Sequence, residues 1–174
     1  MPTFARGPFF ERLEATGGIR MNKLVKIISA SAVAGAVLVT GSVMAETEPD
    51  AAIEYRKALM ATVGGNMKAS ALIIKGQVEH KDALAAHARG IAAAATLAPA
   101  AFKQNTHGMG SEKTTSNENV WKDWDKFSAG LKSLETEATK LADLAASGDM
   151  AAAGKQLGEV GKTCKACHDA NRDK

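Results

Sequence analysis

The chain has 174 residues, of which 45% are hydrophobic and 24% are charged, a composition that suits one modest globular domain. Aromatic residues make up only 5%, which argues against an all-β fold and favours closely packed helices. The chain has 22 basic and 19 acidic residues, and residues 1–45 hold five of the basic and two of the acidic ones. Residues 46–174 therefore carry 17 of each sign and are formally neutral. This balance gives no support to a nucleic-acid partner or to binding at an anionic membrane surface.

Residues 21–45 have the three parts of a secretory signal peptide. Residues 21–26 are positively charged, residues 27–39 are apolar, and Val43-Met44-Ala45 has the small-x-small form of a cleavage site. The apolar run is roughly 13 residues and a membrane span needs roughly 20, so cleavage after Ala45 is preferred to a retained membrane anchor. We therefore expect a periplasmic domain over residues 46–174, free of the membrane after cleavage. Residues 1–20 precede a signal that begins with its own Met21, and we interpret them as a mis-called N-terminal extension.

Two amphipathic segments come next and predict two helices. Pro49 suits a first helical turn and Asp50 the positive end of the helix dipole, so the first helix is predicted from there to Gly76. The second is predicted over about residues 78–97 and ends before Pro99, which cannot donate a backbone hydrogen bond. Residues 99–117 are rich in Gly, Ser, Thr and Asn and predict one long exposed connection. The apolar positions are Ile53, Met60, Val63, Met67, Ala71 and Ile74 in the first helix, and Leu84, Ile91, Ala94 and Ala98 in the second.

The last two segments carry apolar stripes whose members alternate four and three residues apart, as expected for packed helices. Ser116 or Asn117 is the predicted N-cap of the third helix, and Gly148-Asp149 ends it and caps the fourth. Four such helices predict an all-α, antiparallel up-down-up-down four-helix bundle. The stripes are Val120, Trp124, Phe127, Leu131, Leu134, Ala138, Leu141 and Ala145, then Met150, Ala153, Leu157, Val160, Cys164 and Cys167.

The segment Cys164-Lys165-Ala166-Cys167-His168 has the spacing of a c-type haem attachment site. Each thiol can form a thioether with one haem vinyl group, and the adjacent imidazole can bind the iron. A redox Cys-x-x-Cys pair would need a βαβ context, and a zinc site would need a second suitably spaced Cys/His pair; neither is visible. The sequence thus predicts one covalent haem c per chain. Because the cysteines continue the apolar stripe of the fourth helix, the haem is expected inside the bundle.

Taken together, residues 46–174 resemble the cytochrome c′ family, including its low-spin six-coordinate relatives. The resemblance is carried by residues 52–60 (AIEYRKALM), by Val120-Trp121, and by residues 160–172 (VGKTCKACHDANR). It implies that Arg56 contacts a haem propionate and that Arg172 lies near the proximal imidazole. It also implies that Met60 covers the distal face of the iron. Lys57 departs from the family, which commonly has Gln after that arginine.

Two functions stay open, and Met60 distinguishes them. As an apolar side chain it would leave five-coordinate iron accessible to small uncharged gases, and the resemblance then implies nitric oxide or carbon monoxide binding. As a thioether ligand it would give a six-coordinate electron carrier that serves a periplasmic redox partner. An enzyme is not expected, because no positioned acid–base pair or nucleophile is evident. Many relatives pair through their first two helices, which implies a homodimer.

Overall fold

A computed structural model describes residues 47–173, so the predictions for the extension 1–20 and for the signal peptide 21–45 lie outside the described residues. Four long helices account for most of the described chain. A one-turn helix precedes the third of them, and a short 3-10 turn, Lys81–Ala83, precedes the second. The helices are α1 Pro49–Ile74, α2 Leu84–Phe102, α3 Asn119–Lys122, α4 Trp124–Ala146 and α5 Met150–Asn171.

The four long helices form a closed ring of neighbours. Helix α2 packs against both α1 and α4, α4 packs against α5, and α5 returns to meet α1. This is the arrangement of an antiparallel bundle whose consecutive helices are adjacent, and it confirms the predicted all-α four-helix fold. Between residues 47 and 173, no helix combines the length and the apolar character that a membrane span requires.

The core consists of two clusters of buried side chains along the bundle. The predicted stripes supply most of both clusters, because their three- and four-residue spacing keeps one helix face toward the axis. The smaller cluster contains Ala98, Ala101, Phe102, Val120, Phe127 and Leu131. The larger includes Val63, Ile73, Leu84, Ile91, Ala94, Leu134, Ala138, Leu141, Ala153, Leu157 and Val160.

One of the two predicted N-caps is confirmed by a side-chain hydrogen bond in the structure. Asp149 Oδ1 accepts a hydrogen bond from Ala152 N at 2.9 Å, which satisfies one of the free amides at the start of α5. The predicted N-cap of the third helix, Ser116 or Asn117, is wrong: Glu118 is the N-cap of α3 and forms no capping hydrogen bond with its side chain, although Asn117 Oδ1 accepts one from Asn119 N at 3.0 Å. The third helix is not continuous, however. Asp123 has φ −122° and ψ 57°, which separates α3 from α4.

The predicted end of the second helix before Pro99 is wrong. Helix α2 contains Pro99 and continues to Phe102. Pro99 has no N–H to give to the preceding turn, but one face of this turn is buried: Ala98 is 0% exposed and Phe102 6%. Burial of those apolar groups outweighs the missing hydrogen bond, since a buried Phe side chain alone contributes about 1.5–3 kcal/mol. The connection to α3 is therefore residues 103–118.

Ser70 offers a test of this packing. Its side chain on α1 is 0% exposed, and its Oγ has no hydrogen-bond partner among the described residues. We expect Ser70→Ala to raise the free energy of unfolding of the haem-loaded protein by about 1 kcal/mol, because an unpaired buried hydroxyl is costly. Denaturant titration followed by far-UV circular dichroism measures the change.

The matched control is Ser133→Ala, on the exposed side of α4, where the hydroxyl bonds to Ala129 O at 3.0 Å. Both substitutions improve helix propensity equally, so only the difference between them reports the buried hydroxyl. An equal or smaller gain at position 70 would contradict the assignment.

Candidate functional site

A cavity of about 1000 Å³ lies between α1, α4 and α5, and residues 113–116 of the connection close one side of it. Its size is at the upper end of the range, roughly 300–1,000 Å³, that small-molecule and cofactor pockets occupy. The walls are mostly apolar because both core clusters border the cavity. Its apolar lining includes Met60, Val63, Met67, Phe102, Phe127, Leu131 and Leu134.

Both predicted attachment cysteines line this cavity. Cys164 and Cys167 lie one turn apart on α5, each half-buried and each a free thiol. Burial raises the pKa of both thiols, and the neighbouring Cys167 raises that of Cys164 further. Cys164 packs against the larger core cluster and Cys167 against the smaller one. The two sulfurs therefore lie where the two clusters meet.

His168 lines the same cavity from the last turns of α5. Burial lowers the pKa of its imidazole, and the positive charge of Arg172 lowers it further. A lowered pKa favours the neutral ring, which is the form that can give a nitrogen lone pair to a metal ion. Arg172 is also at the cavity, and its Nε donates to Thr115 Oγ1 at 3.0 Å.

Arg56 enters the cavity from α1 and carries a charge that is buried. It is 1% exposed, and burial lowers the pKa of its guanidinium. Nη1 donates to Thr106 Oγ1, and Nη2 donates to Thr114 Oγ1 at 3.3 Å. The guanidinium carbon lies 5.7 Å from the ring centre of Phe102 and 5.4 Å from that of Trp121, within cation–π range. Nε has no partner among the described residues.

Met60 lies one helical turn after Arg56 and lines the same cavity. It is half-buried and packs against both core clusters. Its thioether therefore faces the space that α5 borders with Cys164, Cys167 and His168. Lys57, where the sequence departs from the family, also lies at the cavity and forms an ion pair with Glu112.

These residues fit a haem. Two thiols at attachment spacing, an imidazole and a large apolar cavity match its vinyl groups, its iron and its ring. The buried Arg56 supplies the strongest observation, because a buried charge is costly without an anionic partner and no carboxylate pairs with it in residues 47–173. A haem propionate would complete its hydrogen bonds.

Three of the contacts around Arg56 were missed in the sequence. Thr106 and Thr114 belong to a stretch predicted to be exposed, yet Thr106 is 1% exposed. Trp121 keeps its indole in place by donating from Nε1 to Phe102 O at 2.7 Å. The sequence indicated these contacts only in one way: a buried arginine needs hydrogen-bond acceptors. That requirement does not identify the loop that supplies them.

Comparisons with known proteins point to one family. The profile of the family described as cytochrome c′ matches residues 51–172. The cytochrome c′ of Rhodospirillum rubrum is 37% identical over 133 residues, which cover 76% of this chain and 89% of that protein. The cytochrome c′ of Pararhodospirillum photometricum is 40% identical over 125 residues, with 72% and 98% covered. The nitric oxide complex of a cytochrome c prime variant from Alcaligenes xylosoxidans matches with a TM-score of 0.63 and 27% identity, covering 74% and 98%.

Covalent attachment through the two cysteines predicts where the pigment goes on denaturation. After extraction with acidic organic solvent, the haem should remain bound to the parent polypeptide. It should separate from the double variant Cys164→Ala, Cys167→Ala, because only thioether bonds keep haem on an unfolded chain. Haem absorbance in the two phases measures the partition. Thr163→Ala, which alters another cavity-lining residue of α5 but removes neither sulfur, should behave as the parent does. Pigment released from the parent would rule out the attachment site.

Proposed function

The chain belongs to the cytochrome c′ family, whose members carry covalently bound haem c, and from that premise we propose that it binds small diatomic gases such as nitric oxide or carbon monoxide. Cys164 and Cys167 anchor the haem, His168 binds the iron from the side of α5, and Arg56 pairs with a propionate. The observation that carries the proposal is the placement of Met60 and Arg56 on α1, across one cavity from the three α5 residues.

The bound haem supplies an iron with one coordination position left for a ligand after His168. The side chains around the cavity determine which molecules can reach the iron. Beyond Arg56 and Lys57, the α1 side of the cavity is bordered by Met60, Val63 and Met67. These three side chains offer no hydrogen-bond donors and disfavour charged or strongly hydrated ligands. Met60 is unbranched and flexible, so it can move aside for a molecule of two atoms. In support, a cytochrome c prime variant from Alcaligenes xylosoxidans has been solved as a nitric oxide complex.

The second candidate function is a six-coordinate electron carrier with Met60 as the second axial ligand, serving a periplasmic redox partner. The observation in its favour is that the thioether of Met60 lines the cavity from the helix opposite His168. We favour gas binding because Met60 also packs against both core clusters, which is what a space-filling apolar side chain does. Catalysis is not part of the proposal, because this apolar wall offers no positioned acid–base pair.

For the location of the protein, we propose the periplasm. The support is the signal-peptide pattern of residues 21–45 together with the haem attachment motif, since bacterial c-type haem is attached outside the cytoplasm. After cleavage, the domain that begins at residue 46 would be free of the membrane.

Met60→Ala separates the two functions. For the gas-binding protein, the ferrous parent and the variant should share a broad Soret band without a sharp α-band. Carbon monoxide should then bind the variant at least about tenfold faster, which requires only ~1.4 kcal/mol of steric barrier to be removed. Stopped-flow absorption measures the rate.

Met67→Ala is the matched control. Met67 also lines the cavity, but it lies two helical turns after Met60 on α1. We expect it to change the rate much less. Sharp α and β bands in the parent that disappear in Met60→Ala, but not in Met67→Ala, would instead establish the electron carrier.

We further propose that the protein is a homodimer that pairs through α1 and α2. These helices carry Tyr55 at 56% exposure and Leu97 at 52%, large apolar side chains that a partner helix would cover. Leu97→Lys should weaken self-association at least about tenfold, because a charge would be buried at the interface. Sedimentation equilibrium at micromolar concentration measures the dissociation constant.

The control for the dimer is Met109→Lys, which places the same charge on an exposed apolar residue outside the helices. It should leave the dissociation constant unchanged. A parent protein that sediments as a monomer would contradict the proposal directly.

A further inference from the structure

The connection between α2 and α3, residues 103–118, forms a strap across the guanidinium of Arg56. Thr106 and Thr114, the two hydroxyl partners of Arg56, both belong to this strap. They lie on either side of its tip, which is residues 108–112. Neither threonine belongs to a helix, so their positions depend on what fastens the strap to the bundle.

Asp50, in the first turn of α1, fastens the tip of the strap. Oδ1 accepts hydrogen bonds from Ser111 N at 2.6 Å and from Glu112 N at 2.8 Å, and Oδ2 accepts one from Ser111 Oγ at 2.7 Å. These bonds, led by the one from Glu112 N, lower the pKa of Asp50. The close approach requires Gly110, which has φ +73° and where a Cβ would overlap Asp50 Oδ1.

Apart from the hydrogen bonds of Arg56, the other contacts of the strap with α1 and with the segment just before it are weaker. Lys57 and Glu112 form an ion pair, but both side chains are partly exposed, and such surface pairs contribute little to stability. Gln104 Nε2 donates to Thr47 O at 2.7 Å, at the base of the strap rather than its tip. Asp50 is the residue that makes several charge-assisted hydrogen bonds to the tip, and such bonds are the strong ones.

The far end of the strap is tied to α5. Ser116 and Arg172 form an isolated antiparallel bridge, and Asp173 N donates to Thr115 O at 2.8 Å. These contacts begin four residues after His168. The strap therefore runs from the side of the cavity that holds Arg56 to the side that holds His168.

We propose that Asp50 is a positioning residue for the haem site: by fastening the strap, it keeps Thr106 and Thr114 where they orient Arg56 toward the haem carboxylate. This inference rests on the role of Arg56 given above. Asp50 is not among the residues that line the cavity, so it acts only through the strap.

The test compares three variants of the haem-loaded protein. Asp50→Ala removes the acceptors, Asp50→Asn keeps an acceptor oxygen and can donate to Ser111 Oγ, and Glu54→Ala removes a carboxylate from the same helix without touching the strap. In Asp50→Ala, amide hydrogen exchange at Ser111 and Glu112 should accelerate at least about tenfold. The midpoint potential should fall below that of Glu54→Ala, because a misplaced Arg56 no longer offsets the propionate charge that favours ferric iron. Asp50→Asn should restore most of the slow amide exchange and most of the midpoint potential.

Each outcome decides the matter. Unchanged exchange in Asp50→Ala means that Asp50 does not hold the strap, and the proposal fails. Faster exchange with the potential of Glu54→Ala means that Arg56 does not depend on the strap, and it fails as well. If Asp50→Ala does not fold, Ser111→Ala, which removes only the Oγ contact and no charge, should show a smaller change in the same two readouts. The gas-binding proposal is tested at Met60 by ligand kinetics, so either proposal can fail while the other holds.

Discussion

A guanidinium that is 1% exposed and has no carboxylate beside it in residues 47–173 constrains everything around the cavity. Burying a charge is unfavourable unless hydrogen bonds and an opposite charge compensate for it. Two threonine hydroxyls and two aromatic rings compensate for part of the cost, and Nε is left without a partner. An anionic group entering the cavity would supply the rest. For this reason α1, the strap and the rings of Phe102 and Trp121 all meet at the guanidinium of Arg56.

The apolar part of the cofactor site follows from how the core is divided. The larger and the smaller clusters meet where Met60 packs against both, and the two cysteines face one cluster each. The stripe of α5 thus continues into residues whose side chains border a cavity instead of filling it. A flat apolar ring attached there through two sulfurs would join the clusters, so that the cofactor would contribute to the core as well as to the function.

The long helices, their apolar faces and the attachment motif could all be predicted, because each depends on residues close together in sequence. The stripe from Val120 to Ala145 and the cap at Asp149 are of this kind. The path of α2 through Pro99 could not, since the burial of Phe102 by residues of other helices outweighs the local penalty. Around the site, the roles of Arg56 and Met60 came only from family resemblance, and the structure brings both to the cavity of the cysteines.

The strap had no signal of its own, because the hydrogen bonds that join it to α1 and α5 link residues 50 or more positions apart, as Arg56 and Thr106 are. A run of Gly, Ser, Thr and Asn predicts a loop but not which hydroxyl will be buried. Lys57 shows the consequence. Its departure from the family Gln put any contact from that position in doubt, yet here it pairs with Glu112, the residue whose amide bonds to Asp50. Lys57 therefore contacts the strap beside the hydrogen bonds of Asp50, one residue after Arg56 on α1, but an ion pair between two partly exposed side chains contributes little to stability. The three hydrogen bonds that Asp50 accepts are the stronger contact with the tip of the strap.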